Sequence, residues 1–166
     1  MPDAHDTAAL IPKFAADRTL LRLARWLRLM GADVFCDPSR SAAAILERAR
    51  LEGRSMLTRD KRLRTAPDTL YIQHHLFRDQ LREVFARFPF DPRSYAFTRC
   101  SLCNHLLRPV SRDSIRRRVP PFVFASHDDF AVCDSCNKVY WPATHLTGAL
   151  SEIDNLADSM LNLAPG

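Results

Sequence analysis

Four cysteines stand in two pairs, Cys100-Ser101-Leu102-Cys103 and Cys133-Asp134-Ser135-Cys136, with 29 residues between them. Two C-x2-C knuckles offer four thiolates, the number that tetrahedral zinc takes in a closed structural site. Each knuckle is followed by a short polar turn, Asn104-His105 or Asn137-Lys138, and then by an apolar run, the pattern of a zinc ribbon. A four-cysteine site has no open coordination position, so it shapes and stabilises rather than catalyses. Two disulfides are the other way to read the four residues. That reading belongs to secreted domains, and neither a signal-peptide pattern nor anything else in the composition favours it. The fifth cysteine, Cys36, lies in an apolar stretch and reads as a small buried core residue.

The second set of chemically capable residues is acidic. Asp17, Asp37 and Asp60 each close a short apolar segment with strand character. In an open parallel α/β sheet, ligands bind at the carboxyl ends of the strands. Carboxylates gathered at one edge repel each other unless a cation neutralises them, and Mg²⁺ or Mn²⁺ suits a site of carboxylates, water and substrate phosphate. Such a centre generates a hydroxide nucleophile and stabilises the leaving oxygen of a phosphodiester. Taken singly, each residue also has a plain structural account. Asp17 fits a helix N-cap, Asp37 before Pro38 begins a turn, and Asp60 in Thr58-Arg59-Asp60-Lys61-Arg62 fits a surface ion pair.

Those residues must be positioned by alternating elements. Residues 10–16 read as a strand ending at Asp17. An amphipathic helix follows, with Leu20, Leu23, Ala24 and Leu27 on one face and Arg18, Arg22 and Arg25 on another, closed by Gly31. Residues 33–36 form a second strand, Ser41 caps a helix over 42–51 that Gly53 ends, and residues 54–58 form a third strand. A fourth strand over 70–74 and a helix over about 79–87 complete a strand–helix alternation that argues for a parallel sheet covered by helices. Phe88-Pro89-Phe90-Asp91-Pro92 has the composition of a linker. The expected division is a polar tail over 1–9, an α/β domain over 10–92, a ribbon over 95–150 and a C-terminal tail over 151–166. Ile153, Leu156 and Met160 could build a short helix in that tail.

The 166 residues carry a net charge of +5, with 46% apolar and 26% charged content, as expected of a globular chain. No apolar run approaches the roughly 20 residues that span a bilayer, so a cytoplasmic protein with no membrane association is the expectation. The first 94 residues hold 17 Lys and Arg against 12 Asp and Glu, whereas the remainder hold 7 of each. The basic surface therefore belongs to the N-terminal half. Arginine supplies 21 of the 24 cations, which suits bidentate phosphate contact, although GC-rich coding favours arginine equally well.

The stretch Asp17-Arg-Thr-Leu-Leu-Arg-Leu-Ala-Arg-Trp-Leu-Arg-Leu-Met-Gly31 resembles the first-helix motif of the Mut-seven C-terminal RNase family. Gly53-Arg-Ser-Met-Leu-Thr-Arg-Asp60 is similar to its second motif, and Arg99-Cys-Ser-Leu-Cys-Asn104 to its first knuckle. Val119-Pro-Pro121, Phe130 to Cys136, and Val139-Tyr-Trp-Pro142 with His145 match its later segments in order. The resemblance implies a PIN-like nuclease fold with a C-terminal zinc ribbon, acting on RNA with a divalent metal. Asp17 and Asp60 fall on the family's acidic positions. At the start of the second helix, where the family shows an acid, this chain has Ser41-Ala42-Ala43-Ala44, and Leu21 replaces a glycine of the first helix.

The resulting expectation is a metal-dependent ribonuclease. Asp17, Asp37 and Asp60 are its catalytic candidates, with Asp17 and Asp60 holding Mg²⁺ or Mn²⁺ and Cys100, Cys103, Cys133 and Cys136 holding zinc. Arg18, Arg22, Arg25, Arg59 and Lys61 are the RNA-binding candidates. His145 stands as a zinc-side or RNA-side residue or a packed one, His74-His75 as structural for want of an acidic partner, and Asp79 as a helix-start residue or a further acid. The alternative is an RNA-binding or ribosome-associated adaptor whose acidic site has decayed. A third reading makes the ribbon a docking face for a protein partner.

Overall fold

The computed structural model describes residues 11–141, 148, 151–156 and 158. Four strands, β1 (Lys13–Ala16), β2 (Asp33–Cys36), β3 (Ser55–Thr58) and β4 (Thr69–Tyr71), form a parallel sheet in the order β2-β1-β3-β4. Helices α1 (Leu21–Leu29) and α2 (Ala42–Leu51) make the first two crossovers, and α3 (Phe77–Arg87) follows β4. Both faces of the sheet are covered, so the central strands are apolar on both sides. Phe14, Ala16 and Leu57 join Leu23, Leu27, Leu81, Val84 and Phe85 in one core. Ala15 and Met56 point the other way, to Ile45, Leu46 and Ala49 of α2. This is the period-two alternation of a strand.

The expected helix face is the buried one, with Leu20, Leu23, Ala24 and Leu27 all shielded. Gly31 ends this segment at φ +93°, and a Cβ placed there would lie 2.3 Å from the Cβ of Tyr95. Ser41 caps α2, its hydroxyl accepting from the Ala44 N–H at 3.2 Å. β4 is shorter than expected because the Glu83 carboxylate takes the N–H groups of Gln73 and His74, which therefore do not extend the ladder. The same carboxylate contacts the His74 ring, so His74 does have an acidic partner, supplied by α3. The proline-rich stretch after α3 is packed rather than loose. Phe90 is 5% exposed and stacks on Phe85 with centroids 4.8 Å apart, and Asp91 caps the short helix α4 (Pro92–Tyr95).

Beyond it, β5 (Leu107–Val110), β6 (Phe130–Cys133) and β7 (Val139–Tyr140) form an antiparallel sheet, with α5 (Pro121–Ser126) between β5 and β6. Ile115, Val119, Val123, Phe130 and Val132 make its core. The two knuckles are built alike. Asn104 donates to the Cys100 carbonyl at 3.0 Å and Asn137 to the Cys133 carbonyl at 2.8 Å. Both asparagines are left-handed, at φ 72° and 61°, a conformation asparagine tolerates better than most residues. The polar turns after the cysteine pairs therefore tighten each loop about its two sulfurs.

The small sheet is tied to the large one along β2, an edge strand. Asn104 accepts from the Val34 N–H at 2.9 Å and donates to Asp33 at 2.7 Å, satisfying part of an otherwise open edge. Arg28 of α1, 5% exposed, donates to the carbonyls of Val34, Ser101 and Leu102. Residues 151–156 are helical and return to the first core through Ile153 and Leu156. Arg78 pairs there with Glu152 at 2.8 Å. Met160 and His145 lie outside the described residues. No helix among the described residues is long and apolar enough to cross a membrane.

Candidate active site and metal centre

Asp17 follows β1 directly, at the C-terminal edge of an inner strand, and is 2% exposed. A buried carboxylate persists only when its lone pairs are filled. Here Oδ1 accepts from the Thr19 N–H at 2.8 Å and the Thr19 hydroxyl at 2.5 Å. Oδ2 accepts from the Thr58 hydroxyl at 2.5 Å and the Arg59 N–H at 3.1 Å. It is therefore an N-cap, as its plain account holds, and also the junction between the ends of β1 and β3.

Asp60 emerges on the next strand, its N–H bound to the Thr58 hydroxyl at 2.9 Å. Arg62 caps its carboxylate through the backbone N–H at 3.0 Å and a fork of Nε and Nη2, the latter at 2.6 Å. These bonds to Arg62 hold the Asp60 carboxyl at about 2, well below the usual carboxylate range. Asp37 ends β2 at the same edge but folds into its own turn. It accepts from the Ser39 N–H and hydroxyl and from Arg40 at 3.0 Å, and these bonds, Ser39's first, lower its pKa.

A cleft of about 490 Å³ opens over this edge. Asp17, Asp60, Arg18, Arg40, Arg59 and Arg62 border it, and Ser41-Ala42 at the start of α2 brings no acid to it. Arg59 also reaches His75 at 2.9 Å. Of the residues expected to meet RNA, Arg18 and Arg59 line this cleft, whereas Arg22 and Arg25 line a neighbouring groove. Lys61 is exposed in the turn after Asp60 and borders neither of them. Among the described residues, the three aspartates do not converge to within 4.8 Å as a group; only the cysteines do. Arg62 and Thr58 were not among the expected site residues. The one sequence cue to Arg62 was its place two residues after Asp60 in a dense charge run.

The sulfurs of Cys100, Cys103, Cys133 and Cys136 all lie within 4.8 Å of one another. Cys100 and Cys136 are 3.6 Å apart, Cys103 and Cys133 3.2 Å. Zn–S bonds of about 2.3 Å in a tetrahedron set sulfurs roughly 3.8 Å apart, so the quartet fits zinc. Burial pushes the Cys100 thiol up, but a 3.0 Å contact with the Tyr140 hydroxyl and bonds from the Cys103 and Leu102 backbone bring it down to about 6. A sulfur already poised as thiolate is a ready ligand.

A parallel α/β sheet flanked by helices, with an acidic strand edge and a four-cysteine metal cluster, is the frame of a nuclease-like protein. The family model described as Mut7-C RNAse domain matches residues 12–153, and the chain belongs to that family. No curated protein and no solved structure matches it.

Proposed function

We propose that the chain is a divalent-metal-dependent ribonuclease that hydrolyses RNA phosphodiester bonds at the strand-end cleft. The observation that carries the reading is Asp17, a carboxylate 2% exposed at the carboxyl end of an inner parallel strand, opening onto a cleft shared with Asp60 and four arginines. Asp17 and Asp60 would hold Mg²⁺ or Mn²⁺. Two carboxylates are enough for such an ion when substrate phosphate and water complete its shell. When bound, the ion would supply an activated water and neutralise charge on the leaving oxygen. Asp37, bonded to Ser39 and Arg40 in its own turn, would be the third catalytic acid, contributing from the rim of the edge.

The chain's own side chains do the rest. Thr58 holds Asp17 and the Asp60 backbone in one register. Arg18, Arg40 and Arg59 offer forks to the phosphates on either side of the scissile one. Arg62 must release Asp60 before that carboxylate can serve a metal. RNA as substrate rests on the family, and the cytoplasm, where thiols stay reduced for zinc, is its place of action.

A second reading is favoured by Ala42–Ala44 and by the Arg62 fork. With no acid in the first turn of α2 and one carboxylate occupied, the edge would bind RNA without cutting it. Cleavage of labelled RNA with Mn²⁺, with Mg²⁺ and without either, comparing wild type with Asp60→Asn, separates the two. Metal-dependent cleavage lost in the variant supports the nuclease. Salt-sensitive binding of uncut RNA by both proteins supports the binder.

A further inference from the structure

The acidic cleft has a larger neighbour. A groove of about 810 Å³ runs between α1 and the ribbon. Its walls carry Arg22, Arg25 and Trp26 on one side and Lys138, Tyr140 and Trp141 on the other, and among the described residues no acidic one lines it. Both tryptophans of the chain are here. Trp26 leans on Phe77 with centroids 5.3 Å apart, and the Arg22 guanidinium lies 4.0 Å from the same Phe77 ring. The Tyr140 hydroxyl is fixed by Cys100 and the Ser101 N–H, so the metal knuckle sets the position of one wall. Among the described residues Arg25 makes no hydrogen bond or ion pair, and it is exposed.

Three aromatic side chains interleaved with three cations make a surface for a ligand that is flat, apolar on its faces and polyanionic along its length. An unpaired nucleic-acid strand is such a ligand, because each base has a π-face and each link a phosphate. A duplex keeps its bases stacked inside and offers none to such a groove. Arg18 in the single 3-10 turn that leads into α1 is followed by Arg22 and Arg25 on the helix itself, and Arg18 borders the acidic cleft. The span from Arg18 to Arg25 is about 10 Å, short enough for one strand to engage both clefts.

We propose that this groove is a second nucleic-acid subsite, which takes unpaired bases of a single-stranded RNA whose backbone follows Arg25, Arg22 and Arg18 toward Asp17 and Asp60. The direction of the strand rests on the nuclease reading above; base capture by the groove does not.

The test uses the full zinc-loaded chain carrying Asp60→Asn, without added Mn²⁺ or Mg²⁺. A ten-nucleotide oligouridylate, the same strand with abasic sugars and a duplex of equal length are titrated in, with tryptophan fluorescence and anisotropy of a labelled strand read together. The intact strand should quench the tryptophans and bind about tenfold or more tightly than the abasic strand or the duplex. Arg25→Glu and Lys138→Glu, both exposed and far less disruptive than removing a tryptophan, should each weaken binding and lower the salt slope by about one. Equal affinity for intact and abasic strands overturns the proposal. So does binding without quenching, or an intact strand that does not bind. A wild-type chain that fails to cleave RNA with Mn²⁺ but shows the quench and the abasic penalty refutes the nuclease reading and leaves the groove standing.

Discussion

The Thr58 hydroxyl lies 2.5 Å from Oδ2 of Asp17, joining the ends of two adjacent parallel strands just below the cleft. The Thr58 hydroxyl oxygen in turn accepts from the Asp60 N–H at 2.9 Å, so one threonine sets the relation between the two acids proposed to hold a metal. Both Asp17 oxygens already accept two donors each, so a metal would have to displace one of them to bind there. Replacing it with asparagine sets an amide N–H₂ against groups that are themselves donors. Asp17→Asn should therefore cost about 1–3 kcal/mol in folding, a fall of several degrees in Tm for a chain of this size. Thermal unfolding by circular dichroism checks this, and an unchanged Tm would show that the four donors are not holding the carboxylate. Loss of cleavage in that variant alone says little about catalysis. Asp60→Asn is the cleaner substitution.

Arg62 closes over Asp60, and the pH behaviour of the pair follows from its sign. The folded-state pKa of Asp60 is depressed to about 2 by Arg62. The pair therefore favours the folded state above the ordinary carboxylate value of about 3.9 and ceases to do so as pH falls toward 2. Arg62→Ala should raise the Asp60 value into the ordinary range, read by carboxyl-carbon NMR titration. It should also tighten Mn²⁺ binding, because the carboxylate is released. If Mn²⁺ affinity falls instead, Arg62 assists the site rather than covering it.

Much of the frame was legible because its signals are local and periodic. The apolar face of α1 and the turn before it, the span of β2 and the serine cap of α2 each need only a few neighbours to be read, and the cysteine spacing implies its own chemistry. What escaped depends on side chains meeting across distance. Trp26 and Trp141 form opposite walls of one groove from far-separated parts of the chain, with no shared pattern to link them. Glu83 shortens β4 from a helix, Phe90 buries itself on Phe85, and Arg62 turns back on Asp60. None of these leaves a trace in hydrophobic periodicity. The acids were read correctly as strand-end residues, but no sequence rule tells which of them folds into its own turn, as Asp37 does.

Gly31 sits where α1 gives way to β2, at φ +93°, with the Tyr95 carbonyl oxygen 2.4 Å from the position a Cβ would take. Both the backbone conformation and the backbone contact exclude a side chain. Gly31→Ala should cost about 3 kcal/mol or more, and the damage should fall on the junction of α1, β2 and α4. Denaturant unfolding gives the magnitude. Hydrogen exchange should show faster opening at the Phe97 N–H, which bonds the Leu29 carbonyl at 2.7 Å. Wild-type stability in the alanine variant would mean that Tyr95 moves freely, contrary to its packing here.

Arg28 links the stability of the two halves to the metal. Its guanidinium is buried, and burial lowers its pKa, against the pull of the Cys36, Cys100 and Cys103 sulfurs. Among the described residues no carboxylate bonds it; its partners are the carbonyls of Val34, Ser101 and Leu102. A zinc tetrathiolate carries a formal charge of about −2, so the loaded knuckles supply the counter-charge that the carbonyls alone do not. Removing zinc lets Cys103 and Cys136, whose pKa values burial raises, protonate and leaves the buried cation with less counter-charge, which is costly. Zinc chelation should therefore destabilise the α/β half as well as the ribbon, with Val34 on edge strand β2 losing exchange protection. Arg28→Met should cost about 2–4 kcal/mol in the zinc-loaded chain, and clearly less in the metal-free one, where the cation is no longer matched. A double-mutant-style cycle over zinc and Arg28, measured by denaturant unfolding, gives the coupling directly. Equal losses with and without zinc would mean that Arg28 acts only through its carbonyl bonds, and that the charge of the metal centre does not reach it.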